Sequence, residues 1–374
     1  MIRPIKLLLV AGARPNFMKI APVIREIKRR ADTFSHVLVH TGQHYDEGMS
    51  DVFFRDLGIP TPDHYLNVGS GSHAGQTAAI MTCFEPVLEQ EKPDCVLVFG
   101  DVNSTLACSI VAKKMCYPVA HVEAGLRSGD RTMPEEINRI VTDSISDYFF
   151  VTEESGMEHL KAEGKPESVV FLVGHVMIDN LFFEVARLQE EKSALAESDA
   201  LKANREQYGI VTLHRPSNVD DETTIRGIIG ALSEISKRVP LIFPVHPRTR
   251  ARFDQFGIKF PPSITTTAPL GYREFLNLWK DALIVLTDSG GLQEETTALG
   301  VPCLTLRANT ERPVTISDGT NRLVGTDPST ILASAMGVLD TQRKNTITRR
   351  PKFWDGAASI RILDSMQLLL AKAG

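Results

Sequence analysis

Short apolar runs alternate with amphipathic stretches along almost the whole chain, and few folds accommodate that pattern. Ile5–Ala11, Val37–Thr41, Cys95–Phe99, Pro118–Val122 and Tyr148–Val151 are mostly apolar runs too short for buried helices. Runs of this kind read as strands covered on both faces, as parallel sheets require. Asn16–Arg30 and His73–Glu91 carry helical patterns between them. Strand, helix, strand in repetition predicts an α/β chain with doubly wound sheets. A second series follows: Gly209–Leu213, Leu241–Val245, Leu283–Thr287 and Val301–Leu306 as strands, and Asp220–Arg238, Gly291–Leu299 and Ser329–Leu339 as helices.

The charged stretch Gln189–Arg205 separates the two series. With 374 residues, the chain suits two α/β domains of about 150–200 residues each. The boundary is placed near Gly174–Asn180, giving domains 1–176 and 177–355. The last helical pattern, Gly356–Leu370 in segment 356–374, can pack on either half, including back on the first.

Composition removes several function classes. A net charge of −5 argues against a nucleic-acid or anionic-membrane surface, which needs basic excess. An anionic ligand would then need cations gathered locally. The start of the chain superficially resembles a signal peptide, but its apolar run is short and flows into Arg14-Pro15-Asn16, as a buried first strand would. No run approaches the ~18 apolar residues of a membrane span. The five cysteines form no CxxC pair and are odd in number, which fits core thiols of a reducing cytoplasm, not disulfides or zinc ligands.

In open α/β sheets ligands bind at the carboxyl ends of strands, and polar residues collect there. After the first strand, Arg14 and Lys19 flank a helix start marked by Pro15. They are misplaced relative to the helix dipole unless an anion compensates, although a solvated basic pair is the plain alternative. Thr41-Gly42-Gln43-His44 after the second strand is as readily a polar loop as a ligand contact. Asp101 follows the strand Cys95–Phe99 and either caps the next helix or aims into a site. Glu123 closes an apolar strand where Leu or Val would pack better. Glu135, Asn138 and Arg139 share a helix face by their spacing, while Glu136 suits first-turn capping. Three carboxylates from separate exits exceed what capping needs and suit acid/base chemistry.

In the second half, His214-Arg215 and His246-Pro247-Arg248 each follow a strand, which points to anion binding. Thr287-Asp288-Ser289-Gly290-Gly291 runs from a strand into a helix, and glycines there let backbone N–H groups approach a pyrophosphate. Glu295, one turn in, could accept from ribose hydroxyls, although a tight turn with a capped helix is the alternative. Gly69-Ser70-Gly71-Ser72-His73-Ala74-Gly75 is not GxGxxG, and the chain has neither a P-loop nor HExxH. NAD, P-loop ATP chemistry and zinc all lack their usual signatures.

Taken in order, these motifs resemble the non-hydrolysing UDP-N-acetylglucosamine 2-epimerases over nearly the whole chain. The resemblance runs through Gly12-Ala13-Arg14-Pro15, Thr41-Gly42-Gln43-His44, Gly100-Asp101, His121–Arg127, Pro134–Arg139, His214-Arg215, Pro244–Pro247, Asp288–Gly291 and Thr310-Glu311-Arg312-Pro313. Each motif is weak alone; the ordered set is specific. It implies the GT-B fold, with two Rossmann-like domains facing across a cleft, and a homodimer. It implies UDP held through Arg215, His246, Ser289, Gly290 and Glu295, with Arg139, Asn218, Gly291 and Arg312 completing the substrate contacts. It places the sugar against Arg14, Lys19, Asp101, Glu123, Glu135 and His214, with Asp101, Glu123, Glu135 and His214 as catalytic candidates. It implies no metal and no cofactor. Gln43, His44 and Gln76 correspond to a regulatory substrate site, but Gly75 stands where bacterial relatives often carry Arg.

The implied reaction interconverts UDP-N-acetylglucosamine and UDP-N-acetylmannosamine, commonly for surface polysaccharide. A branch acting on UDP-2,3-diacetamido-uronic acids shares the N-terminal motifs. A GT-B glycosyltransferase would need an acceptor, and a hydrolysing epimerase would release the free sugar. A catalytically dead binding protein would lack the acids, which are present.

Overall fold

The computed structural model describes residues 3–42, 54, 57–190, 195–203, 205–310, 312–341 and 349–371, without the Arg14 side chain. Gln43, His44 and Glu311 therefore lie outside the described residues. The chain divides into two compact units, Met1–Asn180 with Lys352–Gly374, and Leu181–Pro351.

The first unit runs β1 (Ile5–Ala11), α1 (Arg14–Arg29), β2 (Phe34–His40), β3 (His64–Tyr65), α2 (His73–Glu91), β4 (Cys95–Phe99), α3 (Asn103–Lys114), β5 (Val119–Val122), α4 (Pro134–Ile145), β6 (Tyr148–Val151), α5 (Glu154–Ala162) and β7 (Val170–Leu172). Helix α6 (Val176–Glu190) carries the chain onward. The second unit continues with α7 (Ala196–Lys202), β8 (Gly209–Thr212), α8 (Pro216–Val219), α9 (Glu222–Ile235), β9 (Leu241–Pro244), α10 (Pro247–Gln255) and β10 (Ile264–Thr267). It ends with α11 (Tyr272–Trp279), β11 (Ile284–Thr287), α12 (Gly290–Leu299), β12 (Cys303–Thr305), α13 (Val314–Ser317), β13 (Asn321–Leu323) and α14 (Pro328–Thr341). Helix α15 (Ala358–Ala371) belongs to the first unit.

Both sheets are wholly parallel. Their orders are β3-β2-β1-β4-β5-β6-β7 and β10-β9-β8-β11-β12-β13. Alternation along β1 explains why helices cover both faces. Leu7, Leu9 and Ala11 pack with Phe17, Ile20 and Ile24 of α1 and with Ile362, Leu363 and Met366 of α15. Leu8 and Val10 face the other way, onto Ile80 and Phe84 of α2 and Val111 of α3. The strand order reverses between β1 and β4 in one sheet, and between β8 and β11 in the other. These are the switch points where α/β sheets place ligands.

Four strands were not announced by apolar runs: β3, β7, β10 and β13. All four are sheet edges. An edge strand has a neighbour on one side only and tolerates short, polar sequence such as Asn321-Arg322-Leu323 or Ile264-Thr265-Thr266-Thr267. The expectation of core thiols is corrected for two cysteines: Cys95, Cys108 and Cys303 are buried, but Cys83 and Cys116 are exposed. Among the described residues, no helix is long and apolar enough to cross a membrane.

Candidate active site

At the first switch point, Asn16 joins two strand ends. Its Oδ1 accepts from the amides of Gly12 and Ala13 at 3.2 and 3.0 Å, and its Nδ2 donates to the Phe99 carbonyl at 3.0 Å. Helix α1 thus starts beside the exit of β4 and carries Lys19 there. The Lys19 ammonium pairs with the Glu123 carboxylate, and Nε2 of buried His175 lies 4.0 Å from the other Glu123 oxygen. Glu123 is buried and adopts φ +76°, a conformation that costs a non-glycine residue energy and clusters at functional sites. Gly100 turns at φ +67° against this pair, and a Cβ there would lie 2.8 Å from Lys19 Nζ. The turn therefore favours glycine.

Asp101 does not cap α3. The N-cap is Val102, without a side-chain cap, and Asp101 pairs instead with Arg139 of α4. Arg139 Nη1 reaches Glu136 at 3.1 Å, whereas the Glu135 carboxylate makes no hydrogen bond or ion pair with any described residue. Glu136 is more than a capping acid, since it accepts from the amides of Ser128 and Gly129 at 2.9 and 3.1 Å. Burial pushes its carboxyl up, but these amides, the Ser128 hydroxyl and Arg139 outweigh burial and hold it below the usual range. Asn138 donates to the Asp101 carbonyl at 2.8 Å and to Asn103 at 3.2 Å. Asn103 in turn donates to Gln76 at 2.8 Å, and Gln76 to the Gly69 carbonyl at 2.9 Å. Gln76 is thus connected by side-chain amides to the Asp101 turn.

At the second switch point, Asp288 is fully buried and organises the exit of β8. Its carboxylate accepts from the amides of His214 (3.0 Å) and Arg215 (2.9 Å) and from Asn218 Nδ2 (3.2 Å). His214 Nδ1 lies 2.9 Å from Asp288 Oδ1, so that nitrogen carries the proton and Nε2 is the acceptor of the ring. Asn218 also donates to the Leu306 carbonyl at 2.9 Å. Its carboxamide is buried and engaged, supporting the turn. Arg215 is half-buried, and its guanidinium makes no bond to any described residue. Arg248 by contrast pairs with Asp220. His246 Nδ1 accepts from the Arg248 amide at 3.3 Å, leaving its Nε2–H to donate outward.

Ser289 is the N-cap of α12, and its hydroxyl makes no cap bond. A Cβ on Gly291 would meet nothing within 4 Å, so the first turn of α12, with its unpaired N–H groups, has an open side. Buried Glu295 accepts from the Tyr272 hydroxyl at 2.8 Å. Burial pushes its carboxyl up to about 7, against the Tyr272 bond, with Glu294 adding to the rise. Arg312 pairs with Glu294, and Thr310 donates to Gln293 at 2.7 Å, so the segment after β12 is tied to α12.

Sequence reading missed Asn16, Glu136, Asp288 and Tyr272 as organisers. Asp288 was visible only as an acid ending a strand. The others have partners far away in sequence or in the backbone, where spacing carries no signal.

Tandem doubly wound parallel sheets, each with polar groups gathered at its switch point, define an α/β enzyme of the GT-B type. The UDP-N-acetylglucosamine 2-epimerase family model matches residues 25–367. A UDP-N-acetylglucosamine 2-epimerase of Methanocaldococcus jannaschii is 41% identical over 366 residues, 96% of this chain and 98% of that protein. The UDP-2,3-diacetamido-2,3-dideoxy-D-glucuronate 2-epimerase of Pseudomonas aeruginosa is 41% identical over 333 residues, covering 88% and 91%. The crystal structure of the M. jannaschii enzyme with UDP-GlcNAc and UDP matches with TM-score 0.81 and 38% identity, covering 97% of this chain and all of that one. The chain belongs to the UDP-N-acetylglucosamine 2-epimerase family.

Proposed function

We propose that the protein epimerises UDP-N-acetylglucosamine at C2, giving UDP-N-acetylmannosamine, by eliminating and re-adding UDP. No carbonyl adjacent to C2 acidifies its hydrogen, so direct deprotonation is unfavourable. Elimination solves this: a base takes the C2 proton, the C2–H electrons form the C1–C2 double bond, and the C1–O electrons leave with UDP. Return of a proton to the opposite face of C2 and of UDP to C1 gives the epimer. Atoms and electrons balance without an oxidant.

Asp101, Glu123 and Glu135 are the acid/base candidates around the sugar, with Lys19 and Arg139 as neighbouring cations. In the second unit, Arg215, His246 and the Ser289-Gly290-Gly291 turn suit the pyrophosphate, where negative charge develops as UDP leaves. His214, with Asp288 accepting from its Nδ1, can donate to that leaving group through Nε2 only as an imidazolium. Glu295 suits the ribose hydroxyls. The observation that carries this reading is the pairing of Lys19 with Glu123 and Arg139 with Asp101 around one strand switch point, in a chain of this family. We take the protein to act as a cytoplasmic homodimer.

The test is purified protein with UDP-GlcNAc in D2O, without added NAD or metal, followed by NMR. Expected is UDP-ManNAc carrying deuterium at C2. Product retaining full C2 protium would refute elimination with solvent exchange. A parallel reaction with the UDP-2,3-diacetamido-uronate addresses the second reading, which the P. aeruginosa relative at 41% identity favours. Turnover of that compound alone would replace the GlcNAc assignment.

A further inference from the structure

The Asp101 turn is held from behind by a side chain that the mechanism does not use. His121, on β5, is fully buried. Its Nε2 lies 2.9 Å from the carbonyl oxygen of Gly100, the residue before Asp101. Its Nδ1 lies 2.6 Å from Asp143 Oδ1, on α4. A carbonyl oxygen can only accept, so Nε2 bears a hydrogen. Asp143 already receives Arg127 Nη1 at 2.8 Å and the Gly125 amide at 3.1 Å on its other oxygen. Burial pushes the Asp143 carboxyl up, but His121 and Arg127 outweigh it and keep the group below the usual range. With the Arg127 guanidinium and the Gly125 amide both on its other oxygen, Asp143 is a carboxylate, and Nδ1 bears a hydrogen as well.

We infer that His121 is a buried imidazolium and a positioning residue, whose two N–H bonds tie the Gly100–Asp101 turn to Asp143 and so aim the acid Asp101. The charges around it support this. Asp143 faces the ring from α4, and Arg127 faces Asp143 from the loop after β5. Glu163, just past α5, binds the far side of Arg127. Lys19 and Glu123 form their own pair on the other side of the Gly100 turn. With His121 charged, Asp143, Glu163, Arg127 and His121 sum to neutrality; with a neutral ring, the cluster keeps a net negative charge. The same carboxylate fixes the turn after Glu123 through the Gly125 amide, so one buried pair holds the backbone just before Asp101 and just after Glu123. His121 touches no reacting atom in this account. The positioning role rests on the proposed epimerase activity; the charge state does not.

The chain has ten histidines, so 15N-histidine labelling gives a spectrum simple enough to assign by deletion. The ring signal lost in His121→Gln should show both nitrogens protonated in the wild-type protein at pH 7.5. In Asp143→Asn the amide can donate to Nδ1, and the ring should become neutral with its hydrogen on Nε2. His121→Gln should lower kcat with UDP-GlcNAc by about tenfold to a hundredfold, the scale of a small misplacement of a catalytic group. Its KM and its affinity for UDP should stay nearly unchanged. A neutral wild-type ring would overturn the charge assignment. Wild-type kcat in His121→Gln would overturn the positioning role, as would parallel loss of kcat and UDP binding in a variant that melts like the wild type. Failure of the wild-type protein to convert UDP-GlcNAc would refute the epimerase reading and leave the NMR result standing.

Discussion

Arg215 and Arg248 both lie near a histidine at a strand exit, yet only one of the two guanidinium groups has a partner among the described residues. Arg248 is held by Asp220, which Arg252 also contacts at 3.0 Å. Arg215 is the cation proposed above for the pyrophosphate. Replacing Arg215 with Ala should weaken UDP binding by roughly 1.5–3 kcal/mol, the scale of a charge-assisted hydrogen bond; unchanged calorimetric affinity would remove Arg215 from the site. The acids carry a different expectation. Asp101→Asn and Glu135→Gln should each retain UDP binding and lose at least ~100-fold in turnover, as general acid–base groups do. Wild-type rates in both would abandon this set of acids. Sequence made residue types at strand exits legible, but not their pairings. Lys19 and Glu123 are 104 positions apart, and Arg139 and Asp101 are 38 apart. At short range, spacing lets Arg139 meet either Glu135 or Glu136; it meets Glu136, whose carboxylate the amides of Ser128 and Gly129 also hold.

Element by element, the central strands were legible because burial on both faces leaves an unbroken apolar run. The edges were not, since one open side removes that demand. The two acids that follow strands β4 and β11 are held in different ways. Asp101 is partly exposed and meets a guanidinium, whereas Asp288 is sealed against backbone amides of the neighbouring strand exit. The turn after β5 shows how tightly an exit can be specified. Gly125 adopts φ +78°, and a Cβ there would come within 2.4 Å of the Gly156 carbonyl oxygen. Both partners are backbone, so neither can rotate away. Gly125→Ala should destabilise the protein by about 2–4 kcal/mol, combining left-handed strain with displacement of the α5 start. An unchanged urea midpoint would show that the turn is softer than this geometry implies.

For the whole molecule, the two-unit α/β plan followed from the repeated alternation, but the opposite pH liabilities of the units did not. In the first unit, His40 at the end of β2 is buried edge-on to Phe17 and Tyr65, with ring centroids 5.2 and 5.7 Å away. Neither ring nitrogen has a hydrogen-bond partner among the described residues. Burial lowers its pKa from 6.5 to about 4, so the unfolded chain binds the proton more readily. The stability tied to neutral His40 is complete above pH 6.5 and is lost as pH falls toward 4. Glu295 in the second unit has the reverse sign. Burial raises its pKa from 4.5 to about 7, so the folded state binds the proton more readily, and stability is lost as pH rises through that window. At ~1.36 kcal/mol per pKa unit, each effect is on the order of 3 kcal/mol at most. Variants isolate these terms from the other titrating groups. The melting temperature of Glu295→Gln, relative to wild type, should be higher at pH 8 than at pH 5, because the amide imitates the protonated acid. That of His40→Leu, relative to wild type, should be higher at pH 5 than at pH 8, because no buried ring remains to be charged. Calorimetry across that range checks both differences; a variant whose profile runs parallel to wild type would show that its group does not titrate differently in the folded and unfolded states.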